Sequence, residues 1–184
     1  MNKKSFLVFL FNCIIGVSFA QTLQLKTDSL ALAISEVSTL EGCRAHRNTV
    51  NAAAAYCLYT PYLESDIVHQ ACRKVIVEWA ENTDELNLFL SPNMHKGLVG
   101  KEAKLMLAYF AAADMYAINS GIKETTLDAY SYAMEETLQY YVRNKKDFGK
   151  SKYWEKLHKL TKEERIARYT DLYTMDHSPA SSNH

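Results

Sequence analysis

Cysteine and histidine recur in this chain as a mirrored pair of motifs, Cys43-x-x-His46 and His69-x-x-Cys72. Thiolate and imidazole together are the donor set that holds tetrahedral zinc. On a helical wheel Cys43, His46, Val50, Ala54 and Cys57 fall within about 80° of one another, so His46 can turn inward beside Cys43. His69 falls off the apolar stripe of its own segment, which leaves Cys43, His46 and Cys72 as the ligands able to converge. The competing reading is a core histidine bonded to a backbone carbonyl. The zinc-protease motif His-Glu-x-x-His is absent.

The same cysteines raise the question of pairing. Beyond residue 20 the chain holds Cys43, Cys57 and Cys72, an odd number. On one continuous helix Cys43 and Cys57 would stand about 21 Å apart, outside disulfide reach. The expectation is three buried free thiols, with Cys43–Cys72 the bridge if one forms. A different chemistry centres on Asp114, the one charged residue between Leu105 and Ile118. Buried, its carboxyl would have a raised pKa suited to proton transfer. The blander expectation is a narrow solvent-facing stripe shared with Ala111 and Ala117. Glu135 and Glu136 point in different directions on a helix and are expected at the surface. No nucleophile motif, glycine-rich phosphate loop or calcium loop is present.

Helices must position these groups, because only 3 prolines and 6 glycines occur in 184 residues. Apolar spacing predicts helices near Asp28–Leu40, Cys43–Tyr59, Lys101–Asn119, Thr125–Arg143, Ser151–Leu160 and Lys162–Met175. A further helix is expected to start at Pro61 with Thr60 as its cap and to bury Leu63, Ile67, Ala71, Val75 and Trp79. The last helix opens on Thr161-Lys162-Glu163-Glu164, a capping box. Gly121, Tyr130 and Ala133 sit at tetratricopeptide-like offsets, but no second copy follows at that motif's period. The expected fold is therefore all-α, an irregular bundle or superhelix of six to seven helices arranged as antiparallel hairpins.

Residues 1–20 read as a secretory signal peptide: Lys3 and Lys4, the apolar stretch Phe6 to Val17, then Ser18-Phe19-Ala20 before a cut at Gln21. The apolar run is too short for a membrane span of about 20 residues. A single helical domain over 21–176 and a disordered tail over 177–184 complete the organisation. Charge is balanced overall but not along the chain. Residues 21–142 carry nine Lys/Arg against fifteen Asp/Glu, and residues 143–168 carry ten against four. That basic segment, with Lys145, Lys146, Lys150 and Lys152, can meet an acidic partner or lie as a solvated helical face. Its aromatics, Tyr153, Trp154, Tyr169 and Tyr173, follow core spacing rather than forming a nucleic-acid platform. Between Thr83 and Gly100 runs a stretch too long for an ordinary connection, with Leu86-Asn87-Leu88-Phe89-Leu90 alternating like a short strand. It is the segment expected to bind.

The Ala20-Gln21 junction, the Thr60-Pro61 turn and Trp79 followed by Thr83 at the end of an amphipathic helix are similar to features of signal-bearing helical proteins of the Bacteroidetes. That resemblance covers most of the mature chain and implies no activity. The sequence thus points to an exported, soluble helical binding or scaffolding protein, with no catalytic, cofactor-binding or metal residue assigned. An enzyme or metal protein centred on Asp114 or on Cys43, His46 and Cys72 is the alternative. A third expectation is an envelope-complex subunit docking a protein partner through its basic C-terminal region. Nucleic acid and stable membrane insertion after signal cleavage are not expected.

Overall fold

A computed structural model describes residues 27–87 and 103–177. The expected signal peptide, most of the 83–100 segment and all but the first residue of the 177–184 tail lie outside the described residues. Eight helices occur among those described. They are α1 (Thr27–Glu36), α2 (Leu40–Ala45), α3 (Arg47–Tyr59), α4 (Ile67–Asn82), α5 (Ala103–Ser120), α6 (Leu127–Phe148), α7 (Lys152–His158) and α8 (Lys162–His177). No strand forms among the described residues beyond an isolated parallel bridge between Asn87 and Glu124. The all-α expectation stands.

The centre is α5, which packs against α3, α4 and α6. Its run Ala111-Ala112-Ala113 is buried, as are the facing Ala53 and Ala54 of α3. Small side chains let these axes approach closely, while Leu105, Tyr109, Leu58 and Trp79 fill the volume around them. Consecutive helices α3 and α4 form one antiparallel pair, and α5 and α6 a second. The expected third hairpin does not form as such, because α7 and α8 each pack on α6 instead. Trp154, Leu157, Tyr169 and Leu172 supply the buried faces for this, confirming the core reading of the C-terminal aromatics.

Several boundaries differ from expectation for identifiable reasons. The segment expected as Asp28–Leu40 breaks after Glu36, where Thr39 caps α2 by accepting a bond from Gly42 N at 3.1 Å. Gly42 is required there, since a Cβ would collide with the Glu36 carbonyl. The segment expected as Cys43–Tyr59 breaks at His46, which leaves helical geometry with φ −100° and ψ 10°. Pro61 does not start α4. Thr60 instead ends α3, its hydroxyl donating to the Tyr56 carbonyl at 2.6 Å. Asp66 caps α4 by accepting from Val68 N at 2.9 Å and His69 N at 3.3 Å. Asp is a stronger cap than Thr, and the loop between is held by buried Tyr62, whose backbone N–H reaches Asn144 Oδ1 at 2.8 Å.

Helix α6 runs one turn past Arg143 and stops at Gly149, whose φ of 77° only glycine adopts without strain. The capping box of α8 forms in both directions, Thr161 N to Glu164 Oε2 at 2.7 Å and Glu164 N to Thr161 Oγ1 at 3.3 Å. Among the described residues no helix is long and apolar enough to cross a membrane.

Candidate functional site

The shift in the start of α4 changes which thiols meet. Its buried face is His69, Cys72, Val75, Ile76 and Trp79, while Leu63 and Ile67 are exposed. His69, expected off the stripe, is therefore inside. Cys43 is tied elsewhere: its thiol donates to the Val37 carbonyl at 3.1 Å and its carbonyl accepts from Trp79 Nε1 at 3.0 Å. Cys72 lies seven residues before Trp79 on the same helix, about 10 Å away along the axis. His46 turns to the surface edge and pairs with Glu36 Oε2 at 2.6 Å. Cys43, His46 and Cys72 consequently do not converge, and no group of three His, Cys, Asp or Glu is placed to hold a metal among the described residues.

At the loop end of the α3–α4 hairpin the thiols of Cys57 and Cys72 are buried neighbours. The adjacent Cys72 thiol and burial both push the Cys57 thiol well above its ordinary pKa. The His69 ring sits edge-on to Tyr62 at 5.5 Å and to Tyr56 at 6.1 Å. Burial lowers its pKa, with Asp66 pulling the other way. The Tyr56 hydroxyl donates to Asp66 Oδ2 at 2.8 Å, and burial with this bond raises Tyr56 to about 12. His69 Nε2 and the Tyr62 and Tyr140 hydroxyls are buried without hydrogen-bond partners among the described residues. The missed signal was Asp66: capping there, rather than at Thr60, sets the register that brings residue 72 to residue 57.

Asp114 is fully buried in the middle of α5, and neither carboxylate oxygen has a partner among the described residues. The expected solvent-facing stripe does not exist: Asp114, Ala111 and Ala117 are all buried. Burial raises the Asp114 pKa well above the ordinary carboxylate range. Glu135 and Glu136 are not bare surface acids either. Glu135 receives two bonds from Arg165, at 2.6 and 2.9 Å, which fasten α8 to α6.

The described start of the long 83–100 connection is anchored rather than free. Asn87 N donates to the Lys123 carbonyl at 2.7 Å. Asp84 pairs with Arg44 at 2.7 Å and Glu85 with Arg47 at 2.7 Å, forming one wall of a polar cleft at the end of α5. Opposite charges there largely satisfy one another.

The C-terminal face differs. Of the ten cations in residues 143–168, Arg165 is internal and Arg143 bonds the Leu58 carbonyl. Lys145 makes a 3.7 Å pair with Glu155. Lys146, Lys150, Lys152, Lys156, Lys159, Lys162 and Arg168 are exposed, and no ion pair to them occurs among the described residues. Between α7 and α8 lies a crevice of about 290 Å³ floored by Tyr153, Leu157 and Leu160, with Lys156 and Arg168 at its rim. No family model matches the chain, and comparison with curated proteins and with solved structures finds no match.

Proposed function

We propose that this chain is an exported helical binding protein that docks an acidic protein partner through the α7–α8 face. The observation that supports the reading is the apolar crevice of Tyr153, Leu157 and Leu160, rimmed by Lys156 and Arg168 within the basic C-terminal segment. Apolar floors supply affinity, and complementary charge supplies orientation and encounter rate. The internal charges of the polar cleft beside Arg44 and Arg47, by contrast, are already matched. The candidate catalytic groups offer no competing site: Asp114 is sealed in the core, and Cys43, His46 and Cys72 are dispersed. The helical scaffold built on α5 holds α7 and α8 at a fixed spacing, which suits recognition of a short amphipathic segment bearing Glu or Asp beside apolar anchors.

An acidic amphipathic peptide of alternating Glu- and Leu-rich turns is the direct probe, titrated against the full chain by fluorescence anisotropy. Saturable binding that weakens roughly tenfold on the double change Lys156→Glu, Arg168→Glu, and falls with added salt, is the expected result. Binding unaffected by both, or no binding while the fold is intact, removes this reading.

A further inference from the structure

The three cysteines among the described residues differ in what surrounds them, and the difference singles out one pair. Cys43 is capped by the Val37 carbonyl on a separate short helix. Cys57, in the last turn of α3, and Cys72, in the second turn of α4, are both buried and are neighbours across the packed hairpin. The register is held at this end by several independent contacts. Tyr56, the residue before Cys57, packs on His69 and bonds the cap Asp66. Cys72 follows His69 by one turn on the same buried face of α4. Tyr62 is pinned to Asn144 below.

We propose that Cys57 and Cys72 are a redox-active pair that closes to a disulfide when the chain meets a small-molecule disulfide, with Cys43 left as a free thiol. The step is thiol–disulfide exchange. One of the two thiolates attacks the oxidant, forming a mixed disulfide and releasing one small thiol. The second cysteine then attacks that mixed disulfide, forming the Cys57–Cys72 bond and releasing the other small thiol. The two cysteines lose two electrons and two protons, and the oxidant's S–S bond takes up both. Because the neighbouring Cys72 thiol and burial disfavour the Cys57 thiolate in the closed hairpin, exchange proceeds while the chain folds or when this hairpin end opens. The product staples α3 to α4 beside the unpartnered His69 Nε2.

The sequence makes the test clean. Trypsin cutting after Arg47 and Arg73 keeps Cys57 and Cys72 on one peptide, whereas Cys43 leaves on the peptide ending at Arg44. The full chain is reduced, unfolded and refolded in a mixture of glutathione and glutathione disulfide, then alkylated in denaturant and mapped. The expected result is a 48–73 peptide lighter by two hydrogens, carrying no alkyl group, with Cys43 alkylated. Cleavage after Glu64 should then leave its two halves joined until reductant is added. A 48–73 peptide with two alkyl groups, or one joined to the Cys43 peptide, overturns the proposal. In the same preparation, the oxidised chain should melt roughly 5–10 °C above its reduced form, a shift absent in Cys57→Ala. The mapping uses the unaltered chain, so it decides the question even where that variant does not fold.

Discussion

Asp114 in α5 and Glu135 in α6 are both carboxylates that helix packing draws out of water, yet their surroundings differ completely. Asp114 is fully buried in α5, and neither of its oxygens has a hydrogen-bond partner among the described residues. Glu135 sits at the α6–α8 seam, where Arg165 grips both oxygens and Gln139 and the Tyr169 hydroxyl also donate. Burial tends to raise the pKa of each. At Asp114 that effect is unopposed, and the acid is held well above its usual range. At Glu135 the Arg165 bonds outweigh it, and the pKa falls below the ordinary value. The lesson is that an acid brought inside either carries a cation with it and serves as a fastener, or keeps its proton and behaves as a small polar core residue.

The sharpest way to break the contrast is to remove the cation. Arg165→Met leaves Glu135 half-buried without its partner and should destabilise the fold by about 2–3 kcal/mol in urea unfolding at pH 7. That is less than the roughly 3–5 kcal/mol for a fully buried pair, because Glu135 keeps 29% of its side-chain surface exposed. Loosening should concentrate in α8, visible as faster hydrogen exchange there than in α3.

A change at the other acid should act through pH. Asp114 has a folded-state pKa raised above its unfolded one, so the folded chain binds more protons than the unfolded chain between the two values. Its contribution is therefore fully present below the ordinary carboxylate pKa and is lost as pH rises through the folded value. Asp114→Asn removes that loss: thermal unfolding at pH 8 should show a gain of about 1–2 kcal/mol, with little gain at pH 4. Equal effects at both pH values would mean that Asp114 does not keep its proton in the core. The smallest effect is expected at the start of α8, whose position the Arg165 clamp depends on. Thr161→Ala removes one half of the capping box and should cost about 1 kcal/mol in the same urea measurement.

Local chemistry made some elements readable in one dimension. The Thr161–Glu164 box, the apolar circumference of α5 and the aromatic spacing of the C-terminal helices all declared themselves, because each depends on residues a turn or two apart. The α4 start was misread for an equally local reason. Thr60-Pro61 and Asp66 are both plausible caps, and the choice falls to Asp66 only because Tyr62 and Asn144, 82 residues apart in sequence, hold the loop between them. A register error of one turn was enough to put His69 on the wrong side and to make Cys43 rather than Cys57 the neighbour considered for Cys72, while the expectation of three buried free thiols stands.

By itself the sequence determined that this chain is helical, where most of its helices lie, and that its charge divides into an acidic body and a basic C-terminal segment. Periodicity, caps and composition act over a few residues and need no partner to be recognised. Only the tertiary structure decided which of those charges face water, which acid is sealed and which is clamped, and which two thiols meet. Those outcomes depend on what a facing helix supplies, and a wheel drawn for one helix has no information about the surface that will close over it.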